Sequence, residues 1–424
     1  MSSNINPRRR ILKGLQKVLY KGLSREEVLE SILKDLPNDY CSKWTALFYG
    51  CLRSYNYLMP WLEQVRLSSG KSKKLPKEVQ LILLMAAHQF KLMSSFPSYA
   101  VVQESLKLIP RQFSSLKKYI GFILREIERS DVPISYEIKL PEWLLNHFPK
   151  HLRVDLIDEF CQRIIEEPSS ALYTKSPISS DAFNAVGPNI YTFENLNKEQ
   201  RLGMIEKGAV FGELLSISMP LRFTGQPQNY LDLCSAPGTK LSVALQTFPH
   251  AKLWAVEKDS SRYSDTLKRL KSNPATSEEI HRLNFVNADA IEWMEQITRE
   301  SMDFILLDAP CSALGTILNH PEFLTLKESQ SFDYLSDLQF KLLSKALLLL
   351  KPGGQLIYSV CTFRIEECEM IIERCCEQYK NIHLVDDSSI LGEKVFKANY
   401  GQYIWGARGR ANQLFYFQRI VKEK

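Results

Sequence analysis

The chain has 424 residues, 45% of them hydrophobic and 24% charged, a formal net charge of +6 and nine cysteines. At about 150 residues per domain, this is an ordinary soluble composition spread over two or three domains. The longest apolar runs, Leu81–Ala87 and Ala346–Leu350, fall far short of the roughly 20 residues that cross a bilayer, and the basic N-terminus has no apolar signal core.

The charge is uneven. Residues 1–140 carry 23 Lys+Arg against 12 Asp+Glu, and the remainder carries 31 against 36. A basic first part beside a slightly acidic second part fits a polyanion docking to the first. The cysteines form no CxxC pair, and no Cys/His cluster reads as a zinc site. The expectation is a reduced, cytoplasmic protein with no structural metal.

Residues 1–135 read as all-helical. Ile11, Leu12, Leu15, Val18 and Leu19 recur at helical spacing, as do Val28, Leu29, Ile32, Leu33 and Leu36. Ser24 and Glu27 form a capping-box pattern before the second of these helices. Further helices are predicted at 43–65, 76–93, 99–109 and 114–129, and Asp131-Val-Pro-Ile-Ser135 begins a linker. A helix is expected at 150–166, followed by a polar stretch that has room for short strands. From 228 onward strands (229–234, 252–257, 283–287, 303–308, 355–360, 413–420) alternate with helices (239–247, 260–272, 290–299, 333–350, 365–379). That alternation predicts a mostly parallel, doubly wound sheet.

Three features of this region carry chemistry. Asp232-Leu-Cys-Ser-Ala-Pro-Gly-Thr-Lys240 joins a strand to a helix, and Gly238 lets the backbone pass close to a ligand. Glu257 ends the second strand, where a carboxylate takes a ribose hydroxyl pair, and Asp289 follows the third strand. The loop is neither G-x-G-x-x-G nor a Walker loop, which favours an adenosyl cofactor over a hydride or phosphoryl one. Cys311, after Asp308-Ala-Pro310, and Cys361, after Tyr358-Ser-Val360, each end a strand at the cofactor mouth. A thiolate, an acid and an adenosyl cofactor suit methylation of pyrimidine carbon 5, because thiolate addition to carbon 6 makes carbon 5 nucleophilic. Lys240 and the helix N-termini are the expected means of lowering a thiol toward the thiolate form.

At these residues the chain resembles the RsmB/Sun family of RNA (cytosine-5) methyltransferases. Its D-x-C-A-A-P-G-G-K loop stands here as Asp232 to Lys240, and its L-D-A-P-C-S is unchanged at 307–312. His320-Pro321-Glu322, Lys351-Pro-Gly-Gly354 and Tyr358-Ser-Val-Cys361 match its H-P-D, K-P-G-G and Y-S-T-C. In the first part, Leu47-Phe-Tyr-Gly-Cys-Leu-Arg53, Phe96-Pro-Ser-Tyr-Ala-Val-Val102 and Ile120-Gly-Phe-Ile-Leu-Arg125 resemble a NusB-like RNA-binding domain.

The resemblance implies an all-α NusB-like domain at 1–135, a linker and small mixed α/β subdomain at 136–215, and an α/β Rossmann-like class I S-adenosylmethionine-dependent methyltransferase domain at 216–424. It implies Cys361 as nucleophile and Cys311 as the group assisting release, with Asp308 and Lys240 serving the base. S-adenosyl-L-methionine would be held by Cys234, Ser235, Ala236, Pro237, Gly238, Lys240, Glu257, Asp289 and Asp308. The implied partner is small-subunit ribosomal RNA, bound by a monomer away from any membrane. Arg8, Arg9, Arg10 and the Lys71-Ser-Lys-Lys74 run are candidates for electrostatic affinity.

The chain departs from the pattern at Thr239, at Ser312-Ala-Leu-Gly315, at Val360 and at Asn412-Gln-Leu-Phe415, and the usual glutamine-aspartate stretch is not evident at 207–216. Thr239 in particular adds a side chain near the expected cofactor. These departures motivate an alternative, a degenerate protein that binds RNA or a ribosome-assembly intermediate without turnover.

Overall fold

The computed structural model describes residues 6–34, 36, 38–70, 74–93, 95–132, 140–163, 170–180, 182–193, 196–320, 323–324, 332–387, 394–406 and 413–424. They fall into two compact units, the first drawn mainly from Met1–Asn146 and the second mainly from the rest of the chain.

The first unit is helical. Its elements are α1 (Pro7–Lys21), α2 (Arg25–Leu33), α3 (Asn38–Ser68), α4 (Lys77–Lys91), α5 (Ser98–Leu108) and α6 (Lys117–Arg129). Asn6 caps α1 by accepting from the Arg8 amide at 2.9 Å, and Gly22 ends it in the left-handed region at φ 66°. Ser24 caps α2 through the Glu27 amide at 3.4 Å. The apolar stripes of α1 and α2 bury together with much of α4, including Val79, Leu81 and Leu84. Two glycines let helices approach closely. A Cβ on Gly14 would lie 2.3 Å from Ile32 Cδ1, and one on Gly50 would lie 2.0 Å from His88 Nε2. Residues 133–135 of the expected linker lie outside the described residues.

The second unit holds two sheets. The smaller is antiparallel, in the order β2-β3-β1-β4, from β1 (Ser170–Tyr173), β2 (Asn184–Gly187), β3 (Ile190–Phe193) and β4 (Val210–Gly212). The larger has the order β11-β12-β13-β9-β8-β5-β6-β7, with β10 also paired to β13. Its strands are β5 (Asn229–Leu233), β6 (Lys252–Glu257), β7 (Leu283–Asn287), β8 (Met302–Asp308), β9 (Leu350–Val360), β10 (Ile382–Val385), β11 (Lys394–Lys397), β12 (Gln402–Trp405) and β13 (Leu414–Lys422).

The parallel sheet expected from the strand–helix alternation is present from β7 to β9. Beyond β9 the pairings turn antiparallel, and β10, β11 and β12 are strands that periodicity did not predict. Each is four residues long, too short for an alternation to stand out, and takes its conformation from pairing with a neighbour. The helix expected at 290–299 is only Ala290–Met294, and the one expected at 365–379 is Glu369–Gln378.

The chain runs outward from β5 to β6 and β7, then returns to place β8 on the other side of β5. Strand order therefore reverses between β5 and β8. Beyond the carboxyl ends of strands at such a reversal is where an open α/β sheet binds its ligand.

Candidate active site at the carboxyl ends of the central strands

The turn after β5 is folded tightly. Cys234 takes φ +60° and Gly238 φ +86°. The Ser235 amide donates to Val256 O at 3.1 Å and the Gly238 amide to Ser235 O at 2.8 Å. A Cβ on Gly238 would meet Thr266 Cγ2 at 2.5 Å, so both the backbone angle and the space call for glycine. Pro237 is exposed, and the helix Thr239–Thr247 starts immediately after the turn.

Glu257, at the end of β6, is buried and accepts from the Ala236 amide at 3.1 Å and the Asp259 amide at 2.9 Å. Its carboxylate thus ties the β5 turn to the β6 turn. Asp289 caps the helix after β7 through the Ile291 amide at 2.8 Å and also takes Lys258 Nζ at 2.9 Å. The Lys258 contact holds Asp289 below the usual carboxylate range. Cys234, Glu257, Asp289, Pro310, Leu338 and Leu342 are among the residues lining one cavity of about 690 Å³, the size of a small-molecule site. Burial pushes the Cys234 thiol up to about 12, so it stays neutral there.

Asp232 is the more informative acid. It is 1% exposed, and neither carboxylate oxygen has a hydrogen-bond partner. Burial pushes it up to about 8; Lys240 opposes that rise, and Asp308 and Glu257 add to it. A buried, unpartnered carboxylate is costly unless a ligand satisfies it. A ligand carrying an ammonium group and an adenosyl moiety fits this acid, the glycine turn and the β6 carboxylate together.

The second cluster forms at β8 and β9. Their parallel register pairs Asp308 with Ser359, which brings the chain segments beyond them side by side. Asp308 accepts from Lys240 Nζ at 2.6 Å and from Ser359 Oγ at 2.9 Å. Cys311 Sγ and Cys361 Sγ lie 3.3 Å apart. The hydrogen bond to Cys361, with burial second, raises Cys311 well above the ordinary thiol value, so Cys311 keeps its proton. Lys240, expected to act on a thiol, hydrogen-bonds Asp308 and acts on the Cys361 sulfur only through its charge. Burial alone would lower Lys240, but Asp308 overrides it, and the Cys361 sulfur acts in the same direction as Asp308.

Sequence reasoning missed the groups that hold this cluster. Glu367, 0% exposed, accepts from the Ser312 amide at 2.8 Å and from Gln339 Nε2 at 3.0 Å. Gln339 Nε2 also donates to Pro310 O at 2.8 Å, and Ser312 Oγ bonds Thr362 Oγ1 at 2.8 Å. The Gly315 amide donates to Cys361 O at 2.9 Å, and a Cβ there would lie 2.0 Å from Leu414 O. Glu367 stands in Arg364-Ile-Glu-Glu-Cys-Glu369, a charged stretch in which nothing local marks one carboxylate as buried.

Two sequence departures acquire positions. Ala313 occupies the left-handed region at φ +57°, a place that suits glycine. Thr239 Cγ2 points toward Gly212, where a Cβ would be 2.5 Å away, and Thr239 does not line the cavity. The absence of a side chain on Gly212 thus makes room for the added threonine. Asn412 lies outside the described residues, as do Pro321, Glu322 and Lys71 to Lys73. In the helical unit Arg8 donates to Gln89 Oε1 at 3.2 Å and sits over the Trp44 and Phe96 rings, and Arg10 donates to Lys34 O at 2.6 Å. Of the three arginines only Arg9 is exposed, and Lys74 is exposed as well. Arg8 and Arg10 therefore also take part in packing the domain.

A parallel sheet with its switch point, a glycine turn and strand-end carboxylates define a Rossmann-like class I S-adenosylmethionine-dependent methyltransferase fold. Residues 223–417 match the family described as 16S rRNA methyltransferase RsmB/F, and residues 5–129 match the NusB family. The ribosomal RNA small subunit methyltransferase B of Klebsiella pneumoniae subsp. pneumoniae is 27% identical over 399 residues, covering 87% of this chain and 88% of that protein. Its counterpart from Erwinia tasmaniensis is 24% identical over 456 residues, covering 96% and 97%. The crystal structure of PH0851 shares the fold over 100% of both chains, with a TM-score of 0.65 at 18% identity. The chain joins a NusB-family domain to a methyltransferase domain of the RsmB/F family.

Proposed function

We propose that this protein transfers a methyl group from S-adenosylmethionine to carbon 5 of a cytosine in small-subunit ribosomal RNA. The observation that carries the reading is the thiol pair, Cys311 and Cys361 at 3.3 Å, delivered beside the Lys240–Asp308 pair. S-adenosylmethionine, when bound, supplies an electrophilic methyl group. Asp232, Glu257 and the Cys234–Gly238 turn are the residues suited to hold it.

Cys361 Sγ bonds to cytosine carbon 6 while the carbon 5–carbon 6 double bond opens. The Asp308–Lys240 pair delivers a proton to ring nitrogen 3 and stabilises the charge that develops there. Carbon 5 then takes the methyl group. With Cys311 assisting, the carbon-5 proton passes to solvent, its bonding pair re-forms the carbon 5–carbon 6 double bond, the carbon 6–sulfur pair returns to Cys361, and ring nitrogen 3 gives its proton back to the Asp308–Lys240 pair. Cys361 attacks as the thiolate, and Lys240 is the cation that acts on its sulfur. The target base has to leave any stack to reach Cys361, which favours loops or unfolded RNA.

The test is incubation with tritium-labelled S-adenosylmethionine and unmodified bacterial small-subunit ribosomal RNA, followed by nucleoside analysis. Labelled 5-methylcytidine is expected from the wild type and none from Cys361→Ala. Cys311→Ala is expected to attack and then stall as a covalent protein–RNA adduct. Label in another nucleoside, or normal turnover by Cys361→Ala, would overturn the reading.

A further inference from the structure

The helix Asp333–Leu349 runs along both halves of the site. Two turns in, Gln339 bonds Pro310 O at 2.8 Å and Glu367 at 3.0 Å, which anchors it to the loop bearing Cys311. On its neighbouring face Leu338 and Leu342 line the cavity that Glu257 and Asp289 border. Its N-terminal end is held to the segment after Cys361. The Arg364 guanidinium lies 5.2 Å from the Phe332 ring centre, and its Nη2 lies 3.8 Å from Asp333 Oδ1.

Tyr334 stands between those two anchors. It precedes Leu338 and Leu342 by one and two turns, so it continues their face. A helical side chain leans toward the helix N-terminus, which carries the ring away from Leu338. Unlike Leu342 it is not covered, and Tyr334 is 67% exposed, among the most exposed large hydrophobic side chains described. Tyr334 is thus an exposed aromatic ring one helical turn before a cavity-lining residue, and it offers solvent a free flat face.

Resting on the function proposed above, we infer that Tyr334 is a substrate-binding residue on which an unpaired RNA base flanking the target cytosine stacks. A base drawn out of a strand leaves its neighbours unstacked. An aromatic platform beside the opening replaces the lost stacking and holds the strand with the target at Cys361. The contact is sequence-tolerant, because every base offers a π face.

The experiment compares wild type, Tyr334→Ala and Tyr334→Phe in methyl transfer to unmodified small-subunit ribosomal RNA, with S-adenosylmethionine affinity and thermal melting measured on the same proteins. Tyr334→Ala is expected to raise the KM for RNA roughly 5- to 150-fold, the range for removing one base–aromatic stack. Tyr334→Phe is expected to stay within about twofold of wild type, since the ring carries the contact. Melting and cofactor affinity are expected to stay unchanged in both. An unchanged RNA KM in Tyr334→Ala overturns the inference, as does a loss confined to cofactor affinity, which would put the ring on the cofactor. A wild type that transfers no methyl group to RNA overturns the proposed function instead, so the two failures are distinct.

Discussion

The carboxyl ends of β5 and β6 and those of β8 and β9 belong to one sheet but are finished in opposite ways. On the first side Asp232 is buried without a partner, and Glu257 borders an open cavity. On the second, Asp308 is held by Lys240 and Ser359, and Ser312 by Glu367 and Thr362. The difference teaches where each kind of energy is kept. On the ligand side Asp232 leaves its polar atoms unpartnered in the free protein, whereas a finished network on the thiol side holds reactive groups in place before substrate arrives.

The sharpest way to break the comparison is to open the finished side. Lys240→Met removes the partner of Asp308 and the cation that acts on Cys361, and methyl transfer should fall roughly 10²- to 10³-fold. Cofactor affinity measured alongside should change much less; if it collapses equally, Lys240 belongs to the ligand side. Glu367→Gln leaves the Ser312 amide and Gln339 with a poorer acceptor and should destabilise the protein by about 1–3 kcal/mol in denaturant unfolding. A smaller loss than that would mean the Cys311 loop is held by other contacts.

On the unfinished side, Asp232→Asn should weaken S-adenosylmethionine binding about tenfold, read by calorimetry. It should also stabilise the free protein in a pH-dependent way. Burial raises Asp232 to about 8, against about 3.9 in an unfolded chain. Between those values the folded protein keeps a proton that the unfolded chain has lost, so Asp232 costs stability as pH rises through the window. The variant should therefore gain in melting temperature over wild type at pH 8 and gain little at pH 4. Equal melting at both pH values would show that Asp232 is not the strained acid of the site. The smallest effect is expected at Ala313, where glycine accepts φ +57° without strain. Ala313→Gly should raise stability by no more than about 1 kcal/mol, since the extra freedom of unfolded glycine offsets part of the gain.

The two sides also differed in how far the sequence revealed them. The β5 turn and Glu257 were legible because strand, turn and helix follow one another within about 25 residues and carry local signals, an apolar run, Pro237 and Gly238. The elements of the helical domain were legible for the same reason, through apolar residues repeating at 3.6-residue spacing. The basic N-terminal run was legible as charge but not as geometry, because charge says nothing of which side chains pack. Arg8 and Arg10 are partly buried and tied to Gln89 and Lys34, while Arg9 is exposed.

What the amino-acid order determined by itself was the kind of element at each place and the chemical groups at the strand ends, since both follow from short-range preference. Only the tertiary structure decided which of those groups meet. Cys311 and Cys361 are 50 residues apart, and their 3.3 Å approach depends on the register that pairs Asp308 with Ser359. The solitude of Asp232, the contacts of Glu367 and the room that Gly212 leaves for Thr239 were decided in the same way. Register and close packing are set by the whole sheet at once, and no local stretch of sequence contains them.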